Sequence, residues 1–100
     1  MAICSISVVP IGTGSTSVSS YVAMCHDILK GAKGVKYRLT PMATIIEGDL
    51  ERLLELAGEL HRVPFAKGAH RVLTTIILDD RTDKALTMEG KIESVERKLE

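Results

Sequence analysis

The sequence predicts an α+β fold of the order βαββαβ with an additional C-terminal helix. Three observations carry that reading. Apolar and β-branched runs occur in "AICSISVV", "VKYRLTPMATIIEG" and "HRVLTTIILDD". Between them lie two segments whose apolar residues recur at helical spacing, and a last amphipathic stretch follows. A chain of 100 residues, 45% hydrophobic and 26% charged, suits one globular domain over residues 1–100 with one modest core.

The first strand alternates Cys4, Ile6 and Val8 against Ile3, Ser5, Ser7 and Val9, and Pro10 is expected to stop it. From Ser17 the residues Val18, Val22, Cys25 and Leu29 mark a helix, with Ser15, Thr16 or Ser17 free to cap its start and Gly31 or Gly34 to close it. Two short strands, about 35–40 and 42–47, form a hairpin around the Thr40–Met42 turn at Pro41. Asp49 can cap a second helix with the core stripe Leu50, Leu53, Leu54, Ala57, Leu60 and His61, ending before Pro64. The fourth strand is apolar on both faces, with Val72, Ile76 and Leu78 on one and Leu73 and Ile77 on the other. Met88, Ile92, Val95 and Leu99 give the terminal helix its stripe. This order is the split βαβ, or ferredoxin-like, sandwich: two crossover helices on one face of a four-stranded sheet.

The other face then has no cover. With Ile6 and Val8 toward the helices, Ile3, Ser5, Ser7 and Val9 point away, and Met42, Thr44 and Ile46 of the third strand are expected beside them. An apolar surface of that kind marks an interface, so a homo-oligomer is expected, with sheets packed face to face or edge to edge and a pocket between chains. Thr74 and Thr75 point to opposite faces, and either could join that pocket.

Composition excludes several functions. Thirteen basic and thirteen acidic residues cancel, leaving no field of one sign for nucleic acid or an anionic membrane. The aromatics are Tyr21, Tyr37 and Phe65, too few for base stacking on a sheet of this topology. No apolar run reaches the length of a membrane span, so the chain reads as cytoplasmic. "GTGSTS" lacks the lysine and the spacing of a phosphate-binding P-loop and the third glycine of a dinucleotide fingerprint. His26, His61 and His70 lack metal-ligand spacing, and Cys4 and Cys25 form no CxxC pair, so no metal and no cofactor are expected. Ser17, His61 and Asp79 could be written as a triad, but nothing in the sequence joins them, and no catalytic residues are assigned. "LDDRTDK" reads as a solvated turn with local ion pairs, or alternatively as a bridge between subunits.

Together, "VVPIGTGSTSVSSYV", "TPMATIIEGD" and "RVLTTIILDDRTDK" resemble the small thiamine-binding proteins, a family of about a hundred residues found in archaea, bacteria and fungi. The resemblance runs from the first strand to the last helix, with Ala43 standing where the family motif usually reads Met-Gly-Thr. It implies a ferredoxin-like subunit that assembles into dimers or tetramers and binds thiamine or its hydroxymethylpyrimidine half without chemistry. By matching motif positions, Thr13, Ser15, Ser17, Thr44 and Glu47 are the implied ligand contacts, and Glu47 could attract the cationic thiazolium. Alternatively Glu47 partners the positive end of the second helix. The competing expectation is a structural or regulatory oligomer that holds a different metabolite or anion in an interface pocket.

Overall fold

The computed structural model describes residues 1–99, and Glu100, the last residue of the expected 1–100 domain, lies outside them. Its elements are β1 (Ala2–Ile11), α1 (Ser19–Gly31), β2 (Lys36–Leu39), β3 (Thr44–Gly48), α2 (Leu50–Ala66), β4 (Arg71–Asp80) and α3 (Met88–Leu99). The sheet is antiparallel with strand order β2-β3-β1-β4, which is the ferredoxin-like arrangement with an added C-terminal helix.

Opposed residues of antiparallel strands share a face, so the register fixes both layers. Cys4 pairs with Ile46 and Leu78, and Ile6 with Thr44 and Ile76, placing all of these on the helix side. There Ala2, Cys4, Ile6 and Ile46 pack against Cys25 and Leu29 of α1 and Leu53, Leu56, Ala57 and Leu60 of α2. Each large aliphatic side chain buried in this layer contributes about 1.5–3 kcal/mol.

Several expectations need correction. The third strand is inverted relative to the sequence reading: Thr44 and Ile46 face the helices, Ile45 and Glu47 face the open side, and Met42 lies exposed in the turn before the strand. The inversion follows from Cys4 and Ile6 pairing with Ile46 and Thr44, a register that composition alone does not fix. Pro10 does not stop β1. Beyond Ile6 the strand has only β4 as a ladder partner, so one side needs no N–H donors and the proline is accommodated opposite Val72. The hairpin turn runs from Thr40 to Ala43, closed by the Thr40 N–H donating to the Ala43 carbonyl at 3.0 Å.

Both helix starts lack the expected side-chain caps. α1 begins after Val18, not at Ser17, and neither Val18 nor Asp49 makes a capping hydrogen bond through its side chain. α2 continues through Pro64 to Ala66. A proline there removes the donor that would reach the Leu60 carbonyl. The Cys25 thiol of α1 approaches that same carbonyl at 3.9 Å and supplies a weak substitute. In α2, Leu56 rather than Leu54 joins the core, and Leu54 is 48% exposed.

The open face is covered at one end only. Ile3, Leu86 and Met88 form a small buried cluster against Ile45, while Ile92, Val95 and Leu99 of α3 stay exposed. Beneath this cover Glu47, 1% exposed, accepts the Met88 N–H through Oε1 at 2.7 Å. Glu47 therefore serves the start of the third helix, not the second, and its charge meets the positive end of the α3 dipole. Lys91 pairs with Asp79 of β4, and Arg38 of β2 lies 4.0 Å from Glu89, so the first turn of α3 is tied across the sheet. No helix among the described residues is long and apolar enough to cross a membrane.

Candidate functional site

β3 pairs with β1 only from Ala2 to Ile6, whereas β1 runs on to Ile11. The space left beside the outer half of β1 is a cleft of about 690 Å³ on the helix side, bounded by Ile6–Val9 of β1, the start of α1 and the Thr40–Ala43 turn. Its walls are mainly aliphatic, with Val8, Val18, Val22, Leu39 and Met42 contributing. The lining includes no aspartate, glutamate, lysine or arginine.

Polar groups converge in one part of it. His26 Nε2 and Thr44 Oγ1 share a hydrogen bond of 3.2 Å between α1 and β3. The imidazole also meets the Tyr37 ring edge to face, with centroids 5.5 Å apart, so its orientation is fixed from two sides. Ser17 and Ser19 stand at the α1 side of the cleft and are hydrogen-bonded to each other at 3.2 Å. Thr40 is occupied in its turn, donating to the Ala43 carbonyl at 2.6 Å and accepting the Ala43 N–H at 3.1 Å. Cys25 also lines the cleft, and burial pushes its thiol pKa up, which keeps it neutral and a poor nucleophile. Cys4, beneath the helices, is shifted the same way for the same reason.

Of the residues implied as ligand contacts, Ser17 and Thr44 line the cleft, and Thr13, Ser15 and Glu47 do not. Thr13 and Ser15 belong to the preceding loop: the Thr13 hydroxyl donates to the Ser15 carbonyl at 3.3 Å, and Ser15 Oγ accepts the Ser17 N–H at 3.1 Å. Gly12 and Gly14 hold φ of +79° and +80° there, a conformation other residues rarely adopt, so they set the path of the loop into α1. Glu47 lies on the opposite face of the sheet, under α3. The cleft itself is built within one chain on the helix side, not on the open face where the interface pocket was expected. Thr75 is the threonine on that open face; Thr74 is on the helix side, where its hydroxyl is 2.7 Å from His61 Nδ1.

His26 was not among the residues selected from sequence. Its signal was present: it follows Val22 by four residues, which puts it at the margin of the apolar stripe of α1 rather than on the solvent face. Ser17, His61 and Asp79 are not brought together, since His61 meets Thr74 and Asp79 pairs with Lys91 on the other face. Among the described residues no group of three or more His, Cys, Asp or Glu side chains could hold a metal ion. In the turn after β4, Arg81 grips both carboxylate oxygens of Asp83 at 2.8 and 2.5 Å, a hydrogen-bonded pair that lowers the Asp83 pKa.

A family model described as "Thiamine-binding protein" matches residues 4–96. The chain belongs to that family. It is 52% identical over 103 residues to the UPF0045 protein YqgV of Bacillus subtilis, covering 100% of this chain and 99% of the relative. The crystal structure of hypothetical protein MJ1052 from Methanocaldococcus jannaschii superposes with a TM-score of 0.83 at 31% identity, covering 94% of each chain. A Thermotoga maritima structure, named as a candidate thiamine biosynthesis or salvage protein, gives a TM-score of 0.76 over 94% of this chain and 97% of the other. At 23% identity it shares the fold.

Proposed function

We propose that this member of the family is a non-catalytic, homo-oligomeric binding protein whose cleft takes the aminopyrimidine part of thiamine, or free hydroxymethylpyrimidine. The observation that carries the reading is the His26–Thr44 pair inside an otherwise aliphatic cleft of about 690 Å³. A flat heterocycle gains from the apolar walls, and its ring nitrogens and exocyclic amine need a few directed partners of both kinds. An imidazole and a hydroxyl can each donate or accept. The absence of a lining carboxylate leaves the cationic thiazolium without an ion-pair partner, so the neutral pyrimidine half is the part held and the thiazolium is left toward the cleft mouth. The family name supports thiamine as the ligand class. The exposed apolar residues Leu73 and Ile77 on the open face support the oligomer. Such a protein would act in the cytoplasm as a carrier, buffer or sensor.

Calorimetry with hydroxymethylpyrimidine and with thiamine tests it. Both are expected to bind saturably, and Thr44→Val is expected to weaken both by roughly tenfold, as loss of a hydrogen bond worth about 1–1.5 kcal/mol requires. No heat with either ligand at millimolar concentration overturns the ligand assignment. Binding that Thr44→Val leaves unchanged overturns the site.

A further inference from the structure

Two threonine hydroxyls of the cleft differ in what they can offer. Thr40 has both of its roles taken inside the turn, donating to the Ala43 carbonyl and accepting the Ala43 N–H. Its polarity is fixed. Thr44 is 7% exposed at the start of β3, and its Oγ1 lies 3.2 Å from His26 Nε2. A neutral imidazole nitrogen is a donor in one tautomer and an acceptor in the other. One hydrogen joins the two groups, and either of them can supply it.

What ordinarily decides a histidine tautomer is the hydrogen bond made by the other ring nitrogen. For His26 that nitrogen is Nδ1, and it has no hydrogen-bond partner among the described residues. Nor is it sealed away, because no side-chain nitrogen or oxygen among them is both fully buried and unpaired. Water at Nδ1 can donate to a bare nitrogen or accept from a protonated one, so it serves both tautomers. The lining adds no bias, since it includes no aspartate, glutamate, lysine or arginine. Tyr37 holds the plane of the imidazole edge to face, and that contact orients the ring without choosing a tautomer.

We infer that the His26–Thr44 pair is a reversible contact: the cleft accepts a pyrimidinone as well as an aminopyrimidine, and the His26 tautomer follows the ligand. The inference rests on the aminopyrimidine reading of the same cleft given above. An exocyclic amine donates to Thr44 Oγ1. The threonine then turns its own hydrogen to Nε2, and the imidazole carries its proton on Nδ1. A carbonyl at the same point needs a donor. Thr44 then turns its hydrogen to the ligand, and Nε2–H donates to Oγ1 in its place. The ring stays neutral throughout, its proton passing between the two nitrogens by exchange with water. Both arrangements keep every hydrogen bond made, so neither ligand leaves a buried polar group unpaired. A site whose donors and acceptors are fixed rejects the mismatched analogue by orders of magnitude.

Calorimetry with hydroxymethylpyrimidine and with its oxo counterpart, in which a carbonyl replaces the exocyclic amine, tests this on the alkaline side of the ordinary histidine range. The two affinities are expected to agree within about tenfold. Nitrogen NMR of the full chain with isotope-labelled histidine is expected to show His26 protonated at Nδ1 with the amine and at Nε2 with the carbonyl compound. In Thr44→Val the tautomer is expected to be the same with both. Saturable binding of the amine, with the carbonyl compound weaker by more than about tenfold, overturns the reversible contact and leaves the proposed function standing. One unchanged tautomer with both ligands in the unsubstituted chain does the same, as does a tautomer that still follows the ligand in Thr44→Val. Failure of the amine itself to bind overturns the proposed function and the reversible contact together.

Discussion

The two faces of the sheet are held by different means. On the helix side, stability comes from ten buried residues of β1, β3, α1 and α2 packed into one continuous layer. On the open side it comes from a cluster of three, Ile3, Leu86 and Met88, and from one buried carboxylate aimed at a helix end. The first arrangement is strong and nonspecific in direction. The second is weaker but fixes one element, α3, in one place. The comparison teaches that the helix side decides whether the chain folds, whereas the open side decides where its last helix starts.

The sharpest way to break the comparison is Leu60→Ala. Leu60 is 1% exposed in the centre of the helix-side layer, and truncating it leaves a cavity expected to cost about 2–5 kcal/mol in denaturant unfolding. A loss under 1 kcal/mol would mean that α2 is not held by this layer. Glu47→Gln comes next. It keeps the shape but exchanges a charge-assisted acceptor at the α3 N-terminus for a neutral one, with an expected cost of about 1–2 kcal/mol. Hydrogen exchange should show the change concentrated in α3 and in the Met88 amide, and exchange rising equally in α1 would contradict the separation of the two faces. The smallest effect is expected from Ile92→Ser. Ile92 is 44% exposed beyond the anchored turn, and in the isolated chain the substitution should stay within about 0.5 kcal/mol. A larger loss at concentrations that favour assembly would show that the α3 stripe is buried between chains.

Much of this architecture is legible in the sequence. Period-two runs and helical stripes gave all seven elements in order, because those signals are local. Register is not local. The inversion of Thr44 and Ile46 to the helix side turned on which residues of β1 they meet, and a one-residue slip moves a whole strand to the other face. Pro64 reads as a helix end in the sequence because the thiol that meets the freed Leu60 carbonyl lies 35 positions from it. Glu47 reads in the sequence as a ligand group or as a partner of α2 for a similar reason: its acceptor role is set by Met88, 41 residues later. Ser17 and Thr44 reach the cleft as motif positions, while His26 emerges only when α1 is laid against β3.

The late start of β3, at Thr44 opposite Ile6, has a consequence for how such a chain could change its taste. The recess exists by omission, since the hairpin reverses at Thr40–Ala43 while β1 continues for five more residues to Ile11. Inserting one residue pair on each arm of that reversal would carry the ladder further along β1 and fill the vacancy with backbone, and deleting a pair would enlarge it. The length of the two arms that meet at this reversal thus works as a dial on guest size.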